Sequence, residues 1–294
     1  MTAPRWTLVL VAGAAVALLI GAAGPANSAA PPGRQRIVSL LPSVTETLFA
    51  LRAGDEVVGV SQYCDYPPEV TKLPRVGSYL TPNVEAIVAL RPTLVIAGSL
   101  SSGRRQMRAL NALGIDTLLT GDGSLQDIEQ SIVNIGVRIG RRREAQQLLD
   151  DIRARIAAVT HRLNGAPTVP VLMVVGHEPM VAVGAENYLG ELIVLARGEN
   201  IAAQSAQAWP RLSMEYIIAM RPQVILDGQM GSEAAAPAGF WSAYATIPAV
   251  REHRVFGYPI DPILHPGPRV WQSLEIIAAR LHPRFMDSDG RHWQ

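Results

Sequence analysis

Hydrophobic and polar positions follow the same order in two distant parts of the chain. Residues 83–98 read NVEAIVALRPTLVIAG and residues 213–228 read SMEYIIAMRPQVILDG, so a shift of 130 positions aligns them without a gap. In each copy a polar residue precedes an apolar run, an Arg-Pro pair follows, and an almost wholly apolar stretch ends at glycine. The pattern predicts a short helix, a break and a strand that is buried on both faces.

Residue types specify both ends of each short helix. Asn83 and Ser213 are good N-caps, because their side-chain oxygens can accept hydrogen bonds from the free amides of the first turn. Glu85 and Glu215 follow at the second helical position, where the helix dipole favours a carboxylate. A proline ends each helix. The apolar residues expected to face inward are Ile87, Val88, Leu90, Ile217, Ile218 and Met220.

Strand and helix patterns alternate over the rest of the chain, which favours sheets of parallel strands. Residues 125–163 lack proline and carry apolar residues at helical spacing, so we predict one helix to about Gly140 and a second over 141–163. At 1.5 Å per residue the second helix would be about 35 Å long. We therefore predict an α/β protein with two Rossmann-like lobes, whose central parallel sheets are joined by one long α-helix.

The chain of 294 residues is long enough for about two domains. The predicted segments are a signal peptide (1–28), a leader (29–36), an N-terminal lobe (37–124), a helix pair that includes the interlobe helix (125–164), a C-terminal lobe (165–285) and a tail (286–294).

The N-terminus has the pattern of an export signal. Arg5 precedes an uninterrupted apolar or small stretch at 7–20, and residues 26–28 fit a cleavage site. An uncleaved anchor helix is the alternative, because residues 6–24 approach spanning length. We therefore expect an exported protein, in the periplasm or on the outer face of the cytoplasmic membrane.

Composition narrows the function further. A net charge of +1 is too small to attract nucleic acid through the overall charge of the protein. The single cysteine, Cys64, rules out an intramolecular disulfide. The sequence contains no nucleophile elbow, phosphate-binding loop, dinucleotide fingerprint or close-spaced zinc pattern. A metal-dependent hydrolase built from His177, Asp261, His265 and Cys64 is therefore disfavoured, and we expect a binding protein and not an enzyme.

Aromatic residues concentrate in the loops that would follow the carboxyl ends of the strands, where open α/β sheets bind ligands. They are Tyr63, Tyr66, Tyr79, Trp209, Trp241 and Tyr258. Such rings would form apolar walls for a large planar ligand. Trp241 and Tyr258 could equally be packing residues, and Tyr66, beside two prolines, could stabilise a turn.

Several stretches together resemble one known family. The segments LLPSVTETL, YCDYPP, NVEAIVALRP, WPRLSME and HPGPRV, in that order, are similar to the helical-backbone substrate-binding proteins of ABC importers, which carry iron chelates, haem or cobalamin. The resemblance covers nearly all of residues 36–283 and is greatest to the cobalamin-binding members. It implies a ligand in the cleft between the lobes and docking of Glu85 and Glu215 onto arginines of the membrane permease. The alternative is that both glutamates merely favour their helix starts.

The resemblance also implies a monomeric carrier with no intrinsic cofactor, which captures cobalamin or a related corrinoid and delivers it to the transmembrane subunits. Haem and ferric siderophores are the alternative ligands. Tyr66, Tyr79 and Trp209 would lie at the cleft, and Asp261 would make an acidic contact. In the cobalamin-binding members a serine stands at Cys64, so the thiol is not expected to be essential.

Three further residues have alternative roles. His177 and His265 could coordinate haem iron or cobalt, because imidazole suits both metals, or could be ordinary surface or hydrogen-bonded residues. Arg269 could contact a propionate or phosphate, or could simply begin a helix. A stiff helical connector predicts only slight closure of the lobes on binding.

Overall fold

The computed structural model describes residues 35–99, 101–228 and 237–286. The predicted signal peptide, most of the leader and most of the tail lie outside these residues. Within the described part of the chain, no helix is both long enough and apolar enough to cross a membrane.

The described strands form two sheets, one of four strands and one of five. The strands are β1 (Ile37–Ser39), β2 (Val57–Val60), β3 (Leu94–Gly98), β4 (Asp116–Thr120), β5 (Val169–His177), β6 (Met180–Ala182), β7 (Gly198–Asn200), β8 (Val224–Asp227) and β9 (Val255–Gly257). The helices are α1 (Pro42–Ala50), α2 (Val84–Ala89), α3 (Ser101–Ala112), α4 (Leu125–Arg138), α5 (Arg142–Arg162), α6 (Tyr188–Leu195), α7 (Met214–Met220), α8 (Pro237–Trp241), α9 (Pro248–Arg251), α10 (Ile260–Ile263), α11 (Val270–Leu281) and α12 (Pro283–Met286). Short 3-10 helices lie at Gly54–Glu56, Pro68–Lys72 and Ser242–Tyr244.

The two sheets repeat one topology. In the first, β1 lies between β2 and β3, with β4 outside β3, and all pairs are parallel. In the second, β5 lies between β7 and β8, with β9 outside β8, again in parallel. β6 pairs antiparallel with the end of β5. The predicted α/β fold of two lobes is confirmed.

The duplicated segment has the predicted structure in both lobes. The Asn83 side chain accepts a hydrogen bond from the Ala86 amide at 2.9 Å, and the Ser213 hydroxyl accepts one from the Tyr216 amide at 3.2 Å. These are the predicted N-caps of α2 and α7. A buried strand follows each helix, as predicted.

One part of that prediction was wrong. Ile87 and Ile217 are buried, but Val88 and Ile218 are 38% and 37% exposed. At 3.6 residues per turn the next residue points about 100° away, so a helix lying on a surface buries one of the two neighbours and exposes the other. Val88 and Ile218 therefore lie on the outside of their lobes.

The two lobes share one hydrophobic cluster. Alternate strand residues turn to opposite faces, so Ile37, Leu94 and Val171 join the shared cluster while Val38 and Leu172 belong to separate clusters of their own lobes. Helices α4 and α5 complete the shared cluster with Ile132, Leu149 and Ile152, among others.

Helix α5 joins the lobes. It has 21 residues, which makes it about 30 Å long, and it contacts both α4 and α11. Its bounds match the predicted interlobe helix to within one residue at each end.

Other elements differ from the sequence prediction. β6 and β7 were not predicted as strands, since three residues are too few to show a period.

Candidate functional site

The same connection in each lobe carries exposed aromatic rings. In the first lobe the chain between β2 and α2 contains Tyr63, Tyr66 and Tyr79, and in the second lobe the chain between β7 and α7 contains Trp209. Tyr63, Tyr66 and Trp209 are 47%, 43% and 44% exposed, so each side chain presents surface that a ligand could contact. Both connections leave the carboxyl end of a strand, where ligands of parallel sheets bind.

The Tyr63 and Tyr79 rings form a pair. Their centroids lie 5.6 Å apart and their planes are tilted by 59°. The Gln62 amide donates to the carbonyl of Gly77 at 2.9 Å, which brings the two parts of the connection together. Gly77 has a φ of 91°, and a Cβ there would lie 2.8 Å from the Thr81 carbonyl oxygen. Only glycine permits this approach.

Buried polar contacts hold the base of the same connection. The Cys64 thiol is fully buried and lies 3.2 Å from the hydroxyls of Ser61 and Thr45. Arg75 donates to the carbonyl oxygens of Ser61 and Cys64. Burial raises the pKa of the Cys64 thiol, so the thiol stays neutral and unreactive. Its surroundings agree with a packing role.

Trp209 is held by its neighbours in the backbone. The Gly184 amide donates to Ala208 and the Ala182 amide to Pro210, both at 2.9 Å. Arg211 forms a β-bridge with Val181. The backbone is therefore fixed on both sides of Trp209 while its ring faces solvent. The described ring contacts do not join Trp209 to the tyrosine pair.

The structure brings Tyr66, Asp261, His265 and Arg269 together. Arg269 donates to Asp261, and its guanidinium carbon lies 3.9 Å from the centre of the Tyr66 ring. His265 Nδ1 lies 3.0 Å from Asp261 Oδ1. These four predicted residues come from distant parts of the sequence.

A fifth member, Glu46, was not predicted as a site residue. Arg269 donates to both of its carboxylate oxygens, at 2.8 and 2.6 Å. Glu46 was part of the quoted segment LLPSVTETL, but an acidic residue inside a short apolar helix gives no sign of a partner 223 residues away. We call Glu46, Tyr66, Asp261, His265 and Arg269 the charge cluster.

The charges of the cluster stabilise one another. Burial lowers the pKa of His265, but hydrogen bonds to Asp261 and Glu46 outweigh it and raise that pKa to about 9. Burial raises the pKa of Asp261, but hydrogen bonds from His265 and Arg269 lower it below its usual value overall. At neutral pH the protonated His265 ring and the Arg269 guanidinium therefore face the Asp261 carboxylate, and such charged groups can pair with polar groups of a ligand.

A metal site is the alternative use of the cluster. Ligand atoms of Glu46, Asp261 and His265 lie within 4.8 Å of one another, which a metal ion would require. However, the Arg269 guanidinium already engages both carboxylates. The contacts in the structure therefore do not single out a metal.

His177 belongs to a separate cluster in the second lobe. Its Nε2 lies 2.8 Å from Asp227 Oδ2, and its ring stacks on Phe240 at 3.9 Å. The Trp241 indole donates to the same carboxylate oxygen at 2.7 Å. Phe240 is another residue that the sequence did not indicate as part of a site.

The burial of Trp241 favours the packing alternative. Trp241 is completely buried, so its ring offers no surface to a ligand. Tyr258 is also buried, and its hydroxyl donates to the Val174 carbonyl at 2.8 Å. Tertiary packing of α8 and β9 decides both positions, and the loop sequence could not reveal it.

Glu85 and Glu215 are both exposed. Hydrogen bonds from its own amide and from Ser213 lower the pKa of Glu215, which keeps this carboxylate ionised. Val88 and Ile218 follow one turn later, so each exposed glutamate has an exposed aliphatic neighbour on the same side of its helix.

An apolar cavity of about 340 Å³ lies elsewhere, between α4 and α5. Its lining includes Ile132, Leu149 and Ile156 and none of the predicted site residues.

Comparisons with known proteins show what the whole chain is similar to. The family described as periplasmic binding protein matches residues 37–262. A vitamin B12-binding protein of Vibrio parahaemolyticus is 28% identical over 241 residues, which cover 82% of this chain and 86% of that protein.

Two solved structures are similar over most of their length. The periplasmic haem-binding protein RhuT of Roseiflexus sp. RS-1, in its apo form, has a TM-score of 0.77 and 30% identity, covering 87% of this chain and 99% of its own. The periplasmic vitamin B12-binding protein BtuF of Vibrio cholerae has a TM-score of 0.74 and 28% identity, covering 85% of this chain and 98% of its own.

Proposed function

Because this chain belongs to the periplasmic binding protein family, we propose that it is the extracytoplasmic carrier of an ABC importer and captures cobalamin or a related corrinoid between its lobes. The observation that carries the proposal is the pair of equivalent connections, β2–α2 with exposed Tyr63 and Tyr66 and β7–α7 with exposed Trp209. The vitamin B12-binding relatives support the choice of ligand. The protein would work as a monomer, in the periplasm or at the outer face of the membrane.

The ligand would lie against the rings of both lobes. Tyr63, Tyr66 and Tyr79 would form one wall and Trp209 the other, because large flat ligands bury most of their surface against aromatic side chains. Asp261, His265 and Arg269 would meet polar groups at the ligand's edge. His177 would lie near the second wall, beside Phe240.

Equilibrium dialysis of the purified protein against cyanocobalamin tests the proposal, with bound ligand measured by its visible spectrum. We expect one ligand per chain, and we expect Trp209→Ala to lower the affinity by about tenfold or more, since a central aromatic contact is worth about 2 kcal/mol. Trp271→Phe is the control, because Trp271 packs against Arg155 of α5 at 4.2 Å and belongs to neither wall.

Haem is the second candidate. A haem-binding relative with 30% identity and the two cations of the charge cluster favour it, since haem carries two carboxylates. The same dialysis with haem separates the candidates by their different visible spectra. If neither cobalamin, haem nor a ferric siderophore binds, the proposed function is refuted.

Delivery to the permease would use the duplicated helices. We propose that Glu85 and Glu215, with Val88 and Ile218 beside them, dock onto basic and apolar side chains of the transmembrane subunits. Glu85→Lys with Glu215→Lys should abolish uptake of labelled cobalamin by cells that carry only the variant, while dialysis shows unchanged affinity. Glu69→Lys with Glu199→Lys makes the same charge change at exposed positions, one per lobe, and should leave uptake intact. Normal uptake by the first double variant would refute the docking role.

A further inference from the structure

Arg269 is held by both lobes. It is the N-cap of α11 in the second lobe, where it donates to Asp261. Two groups of the first lobe also hold it: Glu46 of α1 accepts two hydrogen bonds, and the Tyr66 ring lies against the guanidinium. One cation therefore joins the β9–α11 connection to two elements of the other lobe.

A second contact lies one turn earlier on α1. Gly267 approaches Ser43 so closely that a Cβ added at Gly267 would lie 3.1 Å from Ser43 Cα. Ser43 and Glu46 are three residues apart and therefore share one face of the helix. This face of α1 contacts the connection that precedes α11.

The ion pair between Glu46 and Arg269 is well shielded from water. The Glu46 side chain is 2% exposed and that of Arg269 is 13% exposed. A shielded bidentate pair holds a fixed geometry. Loss of the Glu46 carboxylate would leave Arg269 its Asp261 partner in the second lobe but would remove the carboxylate that holds it from the first lobe. The Glu46–Arg269 pair therefore strongly favours the spacing of the lobes at which both of its hydrogen bonds can form.

We propose that Glu46 is a positioning residue of the ligand site. By holding Arg269, Glu46 fixes the spacing of the two lobes before the ligand binds. This inference rests on the proposed function, in which the cleft between the lobes is the ligand site. If the cleft already has the width that the ligand needs, less of the binding free energy is spent on moving the lobes. When only a fraction of molecules has the competent arrangement, the apparent affinity falls by that fraction.

Distance measurements between two spin labels test the proposal. Exposed Arg108 of α3 and Arg251 of α9 provide one label site in each lobe, after replacement by cysteine, while Cys64 is buried. The test variant is Glu46→Gln, which keeps the size of the side chain and removes its charge. The matched control is Glu56→Gln, because Glu56 pairs with Arg141 at 2.7 Å at the start of α5 and does not contact the second lobe through that pair.

Without ligand, we expect the distance distribution of Glu46→Gln to be broader than that of the unchanged protein, and we expect cyanocobalamin to restore its width. If the competent fraction falls to about one tenth, the affinity falls about tenfold. Glu56→Gln should leave the width of the distance distribution and the affinity for cyanocobalamin unchanged, even if it lowers the midpoint of thermal unfolding. A distribution for Glu46→Gln that matches the unchanged protein would overturn the proposal.

Arg269→Lys gives a second measure if Glu46→Gln fails to fold. Lysine keeps the charge but cannot form the bidentate pair or stack flat on Tyr66, so the distribution should again broaden. An unchanged distribution in this variant would also contradict the proposal. The distances without ligand test whether Glu46 fixes the spacing of the lobes, even if the protein binds no cobalamin. Failure of the proposed function would instead appear in the binding measurement, so the two failures can be told apart.

Discussion

At the scale of single residues, specific partners hold the charged side chains of the site in place. Asp261 contacts both His265 and Arg269, and Arg269 also contacts Glu46. Asp261 thus faces two cations, which lower its pKa, while hydrogen bonds to Asp261 and Glu46 raise the pKa of His265. The stability of the protein should therefore depend on pH through this cluster.

His265 gives the clearest pH dependence. Its pKa in the folded protein is about 9, above the ordinary value of 6.5, so folding favours the protonated ring. The resulting stabilisation is fully present below pH 6.5 and is lost as the pH rises through 9. Urea denaturation at pH 7 and pH 9.5 should show lower stability at the higher pH, and His265→Gln should reduce that difference. An equal difference in the variant would contradict the assignment.

Gly228 and Gly176 provide a matched pair of substitutions at strand ends. A Cβ at Gly228 would lie 2.0 Å from Tyr258 Cζ, whereas at Gly176 the nearest atom would be 3.9 Å away. Tyr258 is buried, so Gly228→Ala should destabilise the protein by about 1–3 kcal/mol through overpacking. Gly176→Ala should cost clearly less. Denaturation midpoints compare the two variants, and equal losses would refute the packing argument.

At the scale of elements, α2 and α7 are two copies of one local structure. Each begins with a side-chain cap, buries one isoleucine and ends at an arginine with positive φ, 47° at Arg91 and 49° at Arg221. Left-handed backbone is uncommon outside glycine, so the shared conformation at both Arg-Pro pairs reflects one local structure present in two copies.

The two caps should therefore be worth similar amounts. Asn83→Ala and Ser213→Ala should each lower the free energy of unfolding by about 1 kcal/mol, because each leaves one amide of the first turn unsatisfied. Asn83→Asp and Ser213→Asp should keep the stability, since aspartate also caps. Denaturant titration of the four variants measures this. A loss in the aspartate variants equal to that in the alanine variants would show that capping is not the cause.

At the scale of the whole molecule, three features connect the lobes. They share a hydrophobic cluster, helix α5 runs between them, and Arg269 is held from both sides. A packed interior resists deformation, and a helix is stiffer than a flexible strand pair. These connections favour a molecule whose lobes move little.

We therefore expect ligand binding to close the lobes only slightly. X-ray scattering with and without saturating cyanocobalamin should give nearly the same radius of gyration, because the shared cluster, helix α5 and the Arg269 contacts together hold the lobes. Glu56→Gln is again a suitable control, and Glu46→Gln should show a larger change on binding. A hinge rotation of tens of degrees in the unchanged protein would contradict this expectation.

The sequence by itself determined the local elements of this protein. The repeat at residues 83–98 and 213–228 predicted two similar lobes, both N-caps and both buried strands, and the proline-free stretch predicted α5. These features depend on neighbouring residues, so the signal for them lies within a few positions of the chain. The positions of Tyr63, Tyr66 and Trp209 after strands could also be inferred, because strand ends are local features.

Only the tertiary structure decided which distant residues meet. Glu46 contacts Arg269 across 223 positions, Trp241 is buried in a hydrophobic cluster of its own lobe, and Val88 and Ile218 face outward. β6 and β7 exist because β5 offers them a partner strand. Each of these outcomes depends on how complete sheets and helices are placed against one another, and no short stretch of sequence carries that information.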